Sequence, residues 1–437
     1  MDINELYSLF LKQGSVSTDS RKCTPGAVFF ALKGGNFDGN EYAAAALENG
    51  CAYAVVDDPQ YAADGRYVLV DDALQTLRDL AKIHRKTLKA KIIGITGTNG
   101  KTTTKELVSA VLSKKYKTRH TIGNLNNHIG VPLTLLSFSA DDEIGVVEMG
   151  ANHPGEIKSS VGIVCPDYGL ITNVGIAHIE GFGSFEGVKK TKGELYDYLR
   201  NNSRPAFVYA DSADLMRMSD GMQRILYGST EDCRVKGRTV SASPFLKAGC
   251  VLPDGRELDI NTKLIGDYNI SNVLSAVCVG DCFGVPAEDI KAALEEYEPS
   301  NKRSQLVTVG DTRFILDAYN ANPTSMAAAI ENFARMEENA KCVILGDMGE
   351  LGKDSEAEHQ KVADLLKNRG FEDVYLVGGH FMHTYDNYVH FESSAQMTDY
   401  LSSGTRARER FAGKTILVKG SNSMRMDNVA QTIMQKL

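Results

Sequence analysis

The run GITGTNGKTTT, Gly94 to Thr104, carries the residue types that hold an oligophosphate. Gly97, Thr98, Asn99, Gly100, Lys101, Thr102 and Thr103 follow the strand-like IIGIT and open a helical stretch. In that setting successive backbone N–H groups make an anion nest, the Lys101 ammonium meets the outer phosphates, and the Thr102 hydroxyl can ligate magnesium. The spacing is unusual. Four residues normally separate the first glycine from the Gly-Lys pair; here that position is Ile95, and the nearer glycines are Gly94 and Gly97. Such a loop calls for a magnesium-directing carboxylate at the end of a neighbouring strand, and IGVVE offers Glu148. His178, in NVGIAHIEGFGS, follows a further strand on the side where parallel sheets bind ligands. Lys192, in KKTKGELY, falls on the next helix and, taken alone, reads as a surface lysine.

The elements that must position these residues alternate in type. At 437 residues the chain has room for roughly three domains at about 150 residues each. Strand and helix patterns alternate through AVFFAL and a helix near residues 72–89, then through IIGIT, IGVVE, YGLIT and FEGVKKTKGELYDYLR. That order predicts an α/β fold with helices wrapped on parallel sheets. Between residues 209 and 261 short strands and turn residues suggest a small antiparallel excursion. Beyond the break at EPSNKRSQ, the segments RFILDAY, KCVILGD, VYLVGG and TILVKG, with intervening helices, read as a Rossmann-like unit. The expected division is a small N-terminal α/β domain at 1–89, a central P-loop parallel-sheet ATPase domain at 90–308, and a C-terminal Rossmann-like domain at 309–437.

Composition narrows the partners. A formal net charge of −8 disfavours broad binding to nucleic acid, so an anionic ligand must meet local positive charge. No apolar run reaches membrane-spanning length, and the start lacks the basic flank and apolar centre of a signal peptide. The eight cysteines are scattered without a CxxC pair, which points to reduced thiols in a cytoplasmic chain; Cys278 and Cys282 read as a core face. The histidines of HFMH, His380 and His383, lack an acidic or cysteine partner nearby and read as a solvated loop. A nucleotide-gated switch remains an alternative from a different class. Its guanine-specific form would carry an NKxD-like reader, whereas the one Asn-Lys pair, Asn301-Lys302, continues Arg-Ser.

Taken together, TGTNGKTT, TIGNLNNHIGVPLTLL, VVEMGANHPGEI, NVGIAHIEGFGSFEGVKKTKGELY, GDYNISNVLSA, LDAYNANPTSM and LGDMGELG resemble the Mur ligase family of bacterial cell-wall synthesis. The resemblance runs over nearly the whole chain in the family's order, and TGTxGKT is that family's version of the loop, which accounts for the displaced first glycine. It implies ATP-dependent joining of D-alanyl-D-alanine to UDP-N-acetylmuramoyl-tripeptide; a ligase adding a single amino acid is the nearer alternative. It further implies that Lys101 and Thr102 hold the β- and γ-phosphates and a first Mg2+ ion with Glu148, and that His178 serves a second. Lys192 matches a lysine carbamylated in family members, which would make it an anionic metal ligand. Asn269 and Asn272 match asparagines beside the adenine, Arg303 an arginine reaching the phosphates, and Asp317 a carboxylate accepting from the ribose hydroxyls. Asn126 and Asn127, in GNLNNHIG, are candidate substrate contacts. Asn320 and Asn322 either touch ligand or cap the helix that starts near Pro323. Ser20 and Arg21 match the segment that receives the UDP-sugar. A monomer is expected, with a hinge near residues 300–310 that lets the third domain close over the reaction.

Overall fold

The computed structural model describes residues 2–299, 303–338, 340–403 and 406–437. The hinge expected at 300–310 therefore begins outside the described residues, as do Asn301 and Lys302. Three sheets organise the chain. The first has four parallel strands in the order Val16–Ser17, Val28–Phe30, Tyr53–Val56 and Tyr67–Leu69. The second has nine strands, and its parallel centre runs Ala206–Tyr209, Tyr168–Ile171, Lys91–Thr96, Ile144–Glu148. The expected antiparallel excursion is an extension of this same sheet: Val235–Ser241 joins Arg224–Gly228 in parallel, and Lys247–Val251 and Glu257–Asn261 then add antiparallel at that edge. The third has six strands ordered Gln305–Val309, Thr312–Asp317, Thr415–Lys419, Lys341–Gly346, Val374–Val377 and Val389–Phe391. A division after residue 308 falls inside Gln305–Val309, and that strand pairs antiparallel with Thr312–Asp317, so the third sheet starts earlier than expected.

Burial on both faces explains the composition of the central strands. In Lys91–Thr96 every residue after the lysine is buried, and Ile144–Glu148 is buried throughout. Parallel strands covered by helices on both sides read as continuous apolar runs of this kind. Strands Lys91–Thr96 and Ile144–Glu148 lie side by side with Ile95 opposite Glu148, so the loop after the first and the carboxylate ending the second emerge together. This is the carboxyl-terminal edge where open α/β sheets gather ligands.

The first two units share one core. A single apolar cluster runs from Leu6, Phe10, Val28 and Leu77 to Ile92, Val131, Val147 and Leu195. Its bridge is the helix Ala73–Thr87, capped by the Asp72 carboxylate, which accepts from the Gln75 N–H at 2.8 Å; Arg85 and Lys86 complement the dipole of its last turn. The third unit has clusters of its own, into which the central unit contributes Ile265 and the part-buried Phe245 among the described residues. No helix among the described residues is long and apolar enough to cross a membrane.

Leu77→Ala tests the shared core. Leu77 is fully buried, and its truncation should cost about 2–5 kcal/mol, read as a lowered urea midpoint common to the first two units. A separate early transition confined to residues 1–89 would show that they do not unfold as one.

Candidate active site

The phosphate loop is shaped by close approach. Gly97 has φ 141°, and a Cβ there would overlap Thr172 Oγ1 and crowd the Thr172 backbone N–H. Gly100, at φ 77°, starts the helix Lys101–Ser113 in the left-handed conformation, and a Cβ there would meet Asn272 Oδ1 at 2.8 Å. The loop is pinned to the neighbouring strand end: Thr98 N–H donates to Asn173 O, Asn99 N–H to Asn173 Oδ1, and Gly175 N–H to Thr98 Oγ1, each at 3.0 Å. Lys101 folds back over the loop, its ammonium donating to Gly97 O and Thr98 O at 2.9 Å. Burial lowers the Lys101 pKa, with Glu148 opposing that shift and Arg303 adding to it.

Glu148 lies beneath this loop, 1% exposed. The Thr102 hydroxyl donates to its carboxylate at 3.0–3.1 Å, and Asn126 Nδ2 donates to Oε1 at 2.7 Å. Its backbone N–H is taken by Thr121 Oγ1, and Thr121 O in turn accepts from the buried ammonium of Lys105 at 2.7 Å. The loop 121–127 is thereby tied to the phosphate-loop helix at one end and to Glu148 at the other. Asn127 caps the helix Gly130–Leu136 region, its Oδ1 accepting from Gly130 N–H at 2.8 Å.

One cavity of about 1030 Å³ gathers most of the sequence candidates. Thr98 through Thr103, Asn126, Asn127, Glu148, His178, Asn269, Asn272, Arg303, Asp317, Asn320 and Asn322 all border it. Asn272 accepts from the Thr104 hydroxyl at 3.0 Å and donates to Asn269 Oδ1 at 2.8 Å, joining the asparagine pair to the phosphate-loop helix. The Arg303 guanidinium stacks 3.5 Å from the centre of the Tyr319 ring. Asp317 is held by the buried Lys419 ammonium at 2.5 Å and by Ser304 N–H at 3.1 Å. Asn320 Oδ1 accepts from Ala321 N–H. Asn322 resolves its alternatives by capping and bridging at once: its Oδ1 accepts from Ser325 N–H at 2.9 Å, and its Nδ2 donates to Asn99 Oδ1 at 2.8 Å.

Four candidates lie outside the lining. Gly97 supports it through its carbonyl. Lys192 is 2% exposed behind Ala151, its ammonium donating to Ala151 O at 3.1 Å, and burial, reinforced by the Lys101 charge against Glu156 and Glu194, lowers its pKa to about 7. Ser20 and Arg21 do not border the cavity; Arg21 pairs with Asp19, and its side chain is 84% exposed. His178, with φ 52°, pairs through Nδ1 with Glu350 of the third unit, and that bond holds the Glu350 carboxyl below its usual range.

Several lining residues were not legible as such. Lys419 and Tyr319 belong to strand and loop patterns that read as packing, although their neighbours Asp317 and Asn320 were singled out. Arg78 falls on an amphipathic helix and carries no local signal; Glu350, in the quoted LGDMGELG, lies outside the lining and meets the site through His178. Cys278 is buried in the core, and His380 and His383 are exposed.

The donors around Glu148 fit magnesium. Two hard oxygen groups, the Glu148 carboxylate and the Thr102 hydroxyl, converge beside the phosphate loop, and Mg2+ commonly takes one or two protein oxygens with phosphates and water completing its shell. No group of three or more His, Cys, Asp or Glu side chains suited to a metal occurs among the described residues.

A strand-end phosphate loop, a carboxylate on the adjacent strand and a cavity walled by three α/β units define a nucleotide-dependent ligase of the Mur type, and the chain belongs to the Mur ligase family. Family models described as the Mur ligase family catalytic domain, the Mur ligase middle domain and the glutamate ligase domain match residues 14–85, 95–280 and 302–422. Among its relatives, UDP-N-acetylmuramoyl-tripeptide--D-alanyl-D-alanine ligase of Escherichia coli (strain K12) is 34% identical over 99% of this chain and 96% of the relative. The enzyme of the same name from Bacillus subtilis (strain 168) is 32% identical over 96% and 93%. A crystal structure of MurF from Acinetobacter baumannii superposes with a TM-score of 0.85 at 30% identity, covering 96% of this chain and 93% of that one. MurF ligase from Thermotoga maritima in complex with ADP gives 0.84 at 25% identity, covering 98% of both.

Gly97→Ala should destabilise the protein by at least about 1–3 kcal/mol, because the substitution forces an alanine into a glycine conformation and displaces Thr172. A thermal unfolding midpoint equal to that of the parent would show that the loop tolerates a Cβ.

Proposed function

We propose that the protein is an ATP-dependent ligase that joins D-alanyl-D-alanine to the terminal carboxylate of UDP-N-acetylmuramoyl-tripeptide through an acyl phosphate, releasing ADP and phosphate. The observation that carries this reading is the convergence of Lys101, Thr102 and Glu148 on one cavity bordered by all three units. The printed names of the relatives supply the substrates. The reading places the enzyme in the cytoplasm, as a monomer working in peptidoglycan precursor synthesis.

The chemistry accounts for the residues. A carboxylate resists attack by an amine because oxide is a poor leaving group. Transfer of the γ-phosphoryl group to the carboxylate oxygen, with ADP leaving, makes an acyl phosphate; the amine then attacks the acyl carbon and phosphate departs. The first step brings two anions together, and the Lys101 ammonium offsets their repulsion while the loop N–H groups orient the phosphates. Thr102 and Glu148 would hold a magnesium ion, which when bound supplies further positive charge beside the phosphates. Asn269 and Asn272 offer donors and acceptors to the adenine edge, and Asp317, oriented by Lys419, accepts from the ribose hydroxyls. Arg303, held flat on Tyr319, reaches the phosphates. Asn126, Asn127, Asn320 and Asn322 present amides to the acceptor and the incoming dipeptide. Water must be kept from the acyl phosphate, and the third unit, in contact through Asn322 and Glu350, provides the cover.

Lys192 as a carbamate belongs to the same reading. Its amine is enclosed, donates to the Ala151 carbonyl, and pairs with no carboxylate among the described residues. Capture of carbon dioxide by the neutral amine, with loss of one proton, would convert it to an anion in the field of the Lys101 charge.

Phosphate release with ATP, magnesium and UDP-N-acetylmuramoyl-tripeptide should depend on D-alanyl-D-alanine; release driven by alanine or glutamate alone would move the assignment to another amide ligase. Lys192→Ala should lower turnover by roughly 10²-fold, with partial rescue by a small carboxylic acid, and should abolish a carbamate signal seen by NMR with 13C-labelled bicarbonate. Full turnover in this variant would remove the carbamate.

A further inference from the structure

Helix Ala73–Thr87 carries two arginines whose circumstances differ. Arg85 is fully engaged: Nε donates to Val164 O at 2.8 Å, and Nη2 donates to Cys165 O at 3.0 Å and to Asp167 Oδ2 at 3.1 Å. That arginine fastens the helix to the end of the helix Glu156–Val164. Arg78, two turns earlier on the same stripe, has no such partners. Its Nε is closed off from solvent without an acceptor, and no carboxylate pairs with it among the described residues. With Leu74, one turn before it, Arg78 borders the same cavity as Lys101 and Glu148.

Packing does not account for this guanidinium. The buried positions of the helix are Ala73, Leu77, Leu80, Ala81 and His84, Arg78 not among them, and the helix packs on Ile3–Gln13, Gly130–Leu136 and Glu156–Val164. The acid that those elements bring to the cavity, Glu156, is already committed, its Oε2 accepting from Asn152 N–H at 2.7 Å and His153 N–H at 3.1 Å. A desolvated guanidinium donor without an acceptor is unfavourable, and an anion with paired oxygens is the group that satisfies it, since the planar fork matches carboxylate and phosphate geometry. Arg21, the charge suggested by resemblance, pairs with Asp19 and does not border this cavity.

We propose that Arg78 is the anion-binding residue of the cavity wall contributed by the first unit, and that it holds an oxyanion of the acceptor substrate. The proposal rests on the ligase reading above. Two groups of that acceptor share the required chemistry, a peptide carboxylate and the diphosphate of the nucleotide sugar. Either contact places Arg78 as a positioning residue for the acceptor, with no part in handling ATP.

Steady-state kinetics of the full-length protein decide the matter. Arg78→Gln should raise the acceptor KM about 10- to 100-fold, as expected for losing a hydrogen bond to a charged group, with Arg78→Lys intermediate and the KM for ATP unchanged. With an acceptor lacking the nucleotide, the penalty disappears if the diphosphate is the partner. With an acceptor whose non-reacting carboxyls are carboxamides, it disappears if a carboxylate is. An unaltered acceptor KM in a variant that turns over and unfolds like the parent overturns the assignment. So does an equal rise in all three KM values with a lowered unfolding midpoint, which marks Arg78 as structural. Parent protein that releases no phosphate with this acceptor overturns the ligase reading and the Arg78 assignment together.

Discussion

The site depends on a carboxylate held inside the protein by donors from two other elements. Glu148 ends a strand buried on both faces, where an unpaired charge would be costly, and what makes the position tenable is the pair of donors aimed at it from Thr102 and Asn126. Those donors come from different elements: one opens the phosphate-loop helix, the other ends the loop 121–127. Placing the carboxylate therefore fixes the spacing of strand, helix and loop at once. The parallel register of Lys91–Thr96 with Ile144–Glu148 makes this possible, because a slip by one residue would turn Glu148 to the opposite face.

Around that point the three units are joined by different physics. The first shares an apolar core with the centre, so the wall carrying Leu74 and Arg78 is held by buried area and moves only if the core does. The third meets the centre mainly through polar pairs: Asn322 with Asn99, Thr324 with Ile176 N–H, Glu350 with His178, Arg335 with Asp267. Interfaces of that polar kind are the ones across which domains move. A fixed acceptor wall and a movable cover suit a reaction whose intermediate water would destroy.

Legibility followed locality. The phosphate loop, its glycines and Glu148 are consecutive or strand-terminal, and their chemistry shows in a few adjacent letters; the alternation of strands and helices likewise exposed the α/β class. Lys192 was named only through family resemblance, because nothing in KKTKGELY says that helix packing will bury its fourth residue. Arg78 and Lys419 escaped for the converse reason, since burial and partner choice are set by elements distant in sequence. The edge strands 235–261 had the right type but not the right place, because pairing with Arg224–Gly228 is a tertiary fact. The start of the third sheet was misplaced where a strand follows directly on a stretch without periodicity.

The side chain of Asn322 uses its two ends separately. Its oxygen stays with its own helix, while its nitrogen crosses to the phosphate loop. At this residue, parting the two units gives up one neutral hydrogen bond, worth about 0.5–1.5 kcal/mol, and leaves the helix start intact. The cover can therefore lift from the phosphate loop at Asn322 without unwinding the helix behind it.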